Sequence, residues 1–189
     1  MSQGVQDHET VSIYPLDPPV LEQLLLAQGE CVFNWCTQDS WPIGVIMSYV
    51  WAKGRVWATA GAHRHRIAAI RRNPKVSVVV TSTGTKLGPA KTATVKGRCI
   101  IHDDRETKTW FYHALAWRNP DPVQAAAFEK RLDSPLRVVL EVVPEKWITF
   151  DGMKFAADTA GTLLDSQKGP MLSSDALRLP REIKQRGVT

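Results

Sequence analysis

The sequence predicts a mainly β domain with peripheral helices, an antiparallel α+β class, and three observations predict it. Apolar residues alternate with period two in several short runs, and tight turns join them, as at Thr37-Gln38-Asp39-Ser40 and Ala52-Lys53-Gly54. The run Lys91 to Ile101 puts Ala93, Val95, Cys99 and Ile101 on one face and Thr92, Thr94, Lys96 and Arg98 on the other. Such alternation belongs to a half-exposed antiparallel sheet or barrel, and the short joins make a meander rather than a βαβ series.

The elements follow in order. Residues up to Leu16 carry no pattern and are expected to be flexible. Asp17-Pro18-Pro19 gives a cap and first-turn prolines, Val20, Leu21, Leu24 and Leu25 form an apolar stripe, and Gly29 is a stop, so a helix is predicted over about 18–28. Cys31–Cys36, Pro42–Trp51 and Arg55–Ala60 read as three strands. His63–Arg72 reads as a brief helix ended by Asn73-Pro74, and Lys75–Thr81, rich in β-branched residues, as a strand. Beyond the strand at 91–101, Asp103 and Glu106 form a capping box for a helix ending near Asn119-Pro120. A second helix runs from Asp121-Pro122 to about Leu132. Leu136–Val143 and Lys146–Phe150 read as the last strand or strands, interrupted at Pro144. The core domain is thus expected at 17–155, with 156–189 an extended tail or dimer arm.

Composition narrows the function classes. The 189 residues are 43% hydrophobic, enough for one sizeable core. No uncharged run approaches the length of a membrane span and no signal segment opens the chain. The three cysteines follow neither a metal spacing nor a disulfide framework, so a reducing cytoplasm is expected and Cys31 and Cys36 read as small core residues. The net charge of +5 conceals an asymmetry. Between Asp39 and Asp103 there is no acidic residue but 11 of the 24 lysines and arginines, so the remainder, 13 basic against 19 acidic, carries −6. The acid-free segment needs counter-charge from the rest of the fold, a partner or an anionic ligand, and both nucleic acid and a phosphorylated small molecule are open.

His63-Arg64-His65-Arg66 is the sharpest local feature. It follows a strand and opens a helix, where free N–H groups and two arginines suit a phosphate; the competing reading is a solvated basic turn. His63 and His65 have a spacing conceivable for a metal, yet no third ligand is near and the flanking arginines repel a cation, so no metal is expected. No Ser-His-Asp order, paired-carboxylate motif, phosphate-binding P-loop or Gly-x-Gly-x-x-Gly fingerprint is present, which lowers hydrolase, ATPase and Rossmann readings. The seven tryptophans are core or interface residues by default, and planar ligands favour such surroundings.

The order of elements, with Gly54-Arg55-Val56-Trp57-Ala58-Thr59-Ala60, then Arg71-Arg72-Asn73-Pro74-Lys75-Val76-Ser77-Val78-Val79-Val80, then Thr92-Ala93-Thr94-Val95-Lys96-Gly97-Arg98, resembles the pyridoxamine-phosphate-oxidase-like flavin-binding split β-barrels over about 20–150. The resemblance implies an FMN-binding split barrel that acts as a homodimer and an oxidoreductase, moving hydride between FMN and a small organic substrate. Deazaflavin F420 is the alternative cofactor, and some relatives bind haem or have lost cofactor binding. It also implies that Arg64, His65 and Arg66 hold the flavin phosphate. Ile46, Met47, Ser48 and Tyr49 line the ring on the second strand, and Lys91 and Thr92 approach from a neighbouring strand. Trp41, Trp110 and Trp117 are the candidate substrate wall and Tyr112 and His113 the candidate proton donors; Trp110 and Trp117 also fit as ordinary core of an amphipathic helix. The arginine-rich C-terminal strand of true pyridoxamine-phosphate oxidases has no counterpart after Phe150, which argues against vitamin B6 oxidation itself. The competing class is a binding module whose basic face contacts nucleic acid; the absence of a recognised nucleic-acid motif makes that partner unfavoured. A carrier of the same fold without turnover is the third reading.

Overall fold

The computed structural model describes residues 10–187. Seven strands, β1 (Glu30–Cys36), β2 (Pro42–Ser48), β3 (Val50–Ala52), β4 (Arg55–Gly61), β5 (Lys75–Thr81), β6 (Lys91–His102) and β7 (Arg137–Asp151), form one antiparallel sheet in the order β2-β1-β5-β6-β7-β4-β3. The two outermost strands in that order, β2 and β3, are consecutive in the chain and separated only by Tyr49. An open sheet whose edges are joined by one residue must curl until the edges meet, so the strands form a split half-barrel rather than a flat layer.

Period two fills the barrel. Cys31, Phe33 and Trp35 of β1, Val76, Val78 and Val80 of β5, Ala93, Val95 and Cys99 of β6 and Val138, Leu140 and Val142 of β7 face one buried cluster. Each large apolar side chain buried there contributes about 1.5–3 kcal/mol before conformational entropy opposes it. Helix α1 (Pro18–Ala27) closes one opening with Leu24 and Leu25, and α2 (His65–Arg72) adds Ile67 and Ile70. On the outside, α3 (Arg105–Ala116) and α4 (Pro122–Leu132) cover Val50, Trp57 and Val139 with Phe111, Tyr112, Leu115 and Leu132. This second layer explains why Val138, Val139 and Leu140 are buried in succession: β7 is covered on both faces.

Several sequence expectations change. The predicted second strand, Pro42–Trp51, is two strands, because Tyr49 turns the chain from its pairing with β1 to the pairing of β3 with β4. Pro144 does not interrupt β7: one extra residue there, opposite Lys96 and Gly97, is absorbed as a bulge. The α3 cap is Asp104, whose carboxylate accepts from the Thr107 N–H at 2.8 Å, one residue later than the box read from Asp103.

At the N-terminus, residues 10–16 are packed, with Tyr14 and Leu16 buried and the Asp151 N–H donating to the Tyr14 carbonyl; residues 1–9 lie outside the described residues. The segment from 156 is largely helical rather than extended. It finishes α5 (Gly152–Thr159) and carries α6 (Ser173–Arg186), and it clasps the N-terminal strip through Tyr14 Oη to Asp158 (2.6 Å) and Gly169 N to the Ile13 carbonyl (2.8 Å). No helix among the described residues is long and apolar enough to cross a membrane.

Two predictions follow from this packing. A Cβ on Gly97 would lie 2.3 Å from the Val143 carbonyl oxygen across the bulge, so Gly97→Ala is expected to lower stability by about 1–3 kcal/mol, read by urea denaturation; an unchanged midpoint would show that the bulge is loose. Burial is the main force pushing the Cys31 and Cys99 thiols up to about 12, while Cys36 is only half-buried. Iodoacetamide at pH 8 is therefore expected to label Cys36 alone in the native protein, with mass spectrometry finding the other two labelled only after unfolding.

Candidate functional site

The basic motif sits where β4, α2 and the start of β7 converge. β4 ends at Gly61, which pairs with Arg137, and the Ala62 N–H donates to the Leu136 carbonyl at 2.6 Å. A Cβ on Gly61 would meet the exposed His63 ring at 2.8 Å, so a side chain there would have to displace that ring. The chain then turns, with Arg64 N–H donating to the Gly61 carbonyl, and enters α2 at His65. Because α2 must turn Ile67 and Ile70 into the barrel, Arg66 is held half-buried beside them, its guanidinium 5.5 Å from the centre of the Trp35 ring. Burial, reinforced by the nearby Arg64 charge, lowers the Arg66 pKa from its ordinary value.

Arg66 lines a cavity of about 250 Å³ together with Arg131 and Arg137, Ser48 and Thr59, and the apolar Met47, Leu115, Phe128 and Leu132. The α4 contributors, Phe128, Arg131 and Leu132, lie at i, i+3 and i+4 and so share one helical face. Three guanidiniums and no carboxylate line this space. Arg137 Nε is buried and has no hydrogen-bond partner, and among the described residues the only other buried side-chain atom in that condition is the Tyr112 hydroxyl. A buried charged donor without an acceptor costs free energy unless an anion joins it. Tyr112 lines a neighbouring cleft between α3 and α4 with Arg105 and Asp133, themselves paired at 2.6 Å. Burial raises the Tyr112 pKa, with Arg137 pulling in the opposite direction.

The structure brings together Met47, Ser48 and Arg66 of the residues singled out in the sequence. Arg64 and His65 are exposed and do not line the cavity. The reason is helical geometry: residues two apart at a helix start point to different sides, so Arg64 and Arg66 do not form a two-armed grip. Tyr49 is fully buried, its hydroxyl donating to the Leu25 carbonyl at 2.8 Å and its own carbonyl accepting from Arg118 at 2.6 Å, which makes it a structural hinge. Ile46 stands on the outer face of β2. Lys91 is engaged with Asp151 at 3.7 Å, and Thr92 pairs in register with Thr81 and Phe150.

The three candidate wall tryptophans do not converge. Trp110 packs edge-on against Trp57 under the Lys53 ammonium (4.1 Å), Trp117 stacks on His113 and donates to Glu129 (2.7 Å), and Trp41 is exposed at the β1–β2 turn. His113 is exposed and lies 3.3 Å from Glu129, whereas Tyr112, the other candidate proton donor, is buried. Sequence reasoning missed Arg131 and Arg137. They flank the Ser134-Pro135 turn outside the acid-free segment, and only the pairing of β7 with β4 carries Arg137 to α2.

Comparison with known proteins agrees with this architecture. A conserved hypothetical protein of Mycobacterium tuberculosis superposes with a TM-score of 0.65 at 16% identity, over 80% of this chain and 92% of that one. A protein named F420 reductase gives 0.53 at 23% identity, over 67% and 94%. A Listeria innocua protein named as a candidate pyridoxamine 5'-phosphate oxidase gives 0.51 at 20%, over 69% and 92%. At these identities the likeness is one of fold. No curated protein matches the sequence. The pyridoxamine 5'-phosphate oxidase family model matches residues 20–151, from within α1 to the last residue of β7. The match therefore takes in all seven strands and the helix that carries Arg66, and the chain belongs to the pyridoxamine 5'-phosphate oxidase family.

Proposed function

We propose that the chain is a flavin-dependent oxidoreductase that anchors FMN by its phosphate in the arginine cavity and serves hydride transfer between the flavin and a small organic substrate. The observation that carries this reading is the unpartnered, buried Arg137 Nε in a cavity shared with Arg66 and Arg131 and free of carboxylates. A phosphate monoester near neutral pH carries about −1.5 to −2 charge and three acceptor oxygens, which suits several guanidiniums at once. Arg66 and Arg137 would hold it, Arg131 would add charge from α4, and the Ser48 and Thr59 hydroxyls would complete the polar lining.

Bound flavin supplies the hydride chemistry; the chain supplies position and electrostatics. At about 250 Å³ the cavity lies below the roughly 300–1,000 Å³ that drug-sized ligands fill, so it takes the phosphate end and leaves the ring outside, along β2. There Ile46 is 64% exposed, and Trp41 just before the strand 66%. One copy thus leaves the ring uncovered, and a homodimer in which the second copy covers this edge of β2 completes the site. Tyr112, a candidate proton donor, lines the neighbouring cleft rather than the arginine cavity, and burial raises its pKa above the ordinary phenol value.

The visible spectrum of the purified protein, with mass spectrometry of what heat releases, is expected to identify FMN. Released deazaflavin F420 would replace the cofactor while keeping the phosphate reading, and a colourless protein that binds neither flavin when supplied would overturn both. Arg66→Met and Arg137→Met are each expected to weaken FMN about ten- to a hundredfold and to leave riboflavin binding unchanged, since riboflavin lacks the phosphate. Equal losses for both ligands would remove the phosphate assignment. In sedimentation velocity the wild type is expected to run as a dimer and Ile46→Asp as a folded monomer; a monomeric wild type would reject the shared site.

A further inference from the structure

The charge asymmetry of the sequence is only partly answered by the arginine cavity. Of the eleven cations in the acid-free segment, three reach a carboxylate among the described residues: Arg55 at Glu141, Lys91 at Asp151 and Arg98 at Glu145. Lys53 lies over Trp110 and Arg66 over Trp35. Lys75 and Lys96 have neither kind of partner, and the sheet holds them together. Ser77 pairs with Lys96 across β5 and β6, so Lys75, two residues earlier, is the diagonal neighbour of Lys96 on the outer face. On the other side Lys96 pairs directly with Lys146 of β7. Like charges at directly opposed positions destabilise a sheet, and the nearby Glu145 carboxylate is taken by Arg98, the residue directly opposite Lys75.

Lys75 and Lys96 border a groove of about 380 Å³ on the outer face of the barrel, lined also by Asn34, Ser77, Trp35 and Ile148, and no acidic residue lines it. It is a different space from the arginine cavity: the two have no lining residue in common, and Trp35, which lines the groove, has the Arg66 guanidinium beside its ring. Its lining is mostly apolar, with ammonium groups at its border and an amide and hydroxyls between. A bare ion would leave the apolar floor wet, and a neutral apolar molecule would leave the lysines uncompensated.

We propose that this groove is a second anion-binding site, for a small organic anion with an apolar body and one carboxylate, phosphate or sulfonate. Lys75 and Lys96 hold the acidic group, and Ile148, Pro42 and the aliphatic stems of the two lysines hold the body. The site rests on the lysine arrangement and not on the flavin reading.

The test is a fluorescence titration with 8-anilinonaphthalene-1-sulfonate, an apolar aromatic body with one sulfonate, against N-phenyl-1-naphthylamine, the same rings without the charge. Lys75 and Lys96 are exposed, so Lys75→Met with Lys96→Met keeps the apolar stems and the fold. The double variant is expected to bind the sulfonate about three- to tenfold more weakly and the neutral probe as well as wild type does, with the difference shrinking as salt is added. Lys86→Met, which removes an exposed cation of the same segment that lines neither space, is expected to leave both affinities unchanged. The proposal is overturned by unchanged sulfonate binding in the lysine double variant, by equal loss of both probes, or by an equal loss in Lys86→Met.

Discussion

Closure of the sheet at Tyr49 is the constraint on which the rest of the molecule depends. Tyr49 is the single residue between the two outermost strands, and three hydrogen bonds fix it: its N–H to the Gly29 carbonyl, its hydroxyl to the Leu25 carbonyl and its carbonyl from Arg118. Arg118 also donates to the Gln28 carbonyl, so one guanidinium ties the end of α3 to the end of α1 and to the hinge. The closed barrel gives α2 a place to dock Ile67 and Ile70 and brings the end of β2 beside the ends of β4 and α2. Met47, Ser48, Thr59 and Arg66 line one cavity because the hinge brings their strands and helix together.

Closure also orders the charges. The acid-free segment runs from β2 to β6 and is interleaved with β1 and β7, so its cations have to find compensation across the sheet rather than along the chain. Glu141 and Asp151 of β7 meet Arg55 and Lys91, and Glu145 meets Arg98. Of the cations left without a carboxylate, three fall on the two sides of Trp35, with Arg66 at the cavity and Lys75 and Lys96 at the groove. Neutralising these positions with protein carboxylates would have been simple, since the rest of the chain carries 19 acidic residues. Their absence from both linings is therefore a property of the two sites and not of the composition.

The sequence was informative wherever a local rule decides structure, and silent where a partner in space decides it. The helix at 18–28, the period-two strands and the proline and glycine stops were all legible. The division of Pro42–Trp51 was not, because the alternation runs unbroken through Tyr49 and only the change of pairing partner separates β2 from β3. The tail was read as extended because its apolar positions are sparse: α6 buries no residue and carries Pro180 in its interior, so few of the usual helix signals are present. Of the basic motif read in the sequence, Arg66 lines the cavity and Arg64 does not, because two positions at the start of the predicted helix point to different sides.

Arg137 shows most directly why the site exceeds the motif. In the sequence it is the first residue of an apolar strand, more than sixty positions beyond Arg66, and nothing local marks it. In the fold it is opposite Gly61, the residue that ends β4 and starts the turn into α2. The two-strand pairing that buries Val138, Leu140 and Val142 in the barrel therefore fixes where Arg137 begins, and a shift of one residue would turn the guanidinium to the other face together with every apolar side chain of the strand. The apolar core and the cationic cavity are specified by the same register. The charge at the site is held by the packing of the barrel, which keeps Arg137 Nε buried without a protein acceptor at the wall of the cavity.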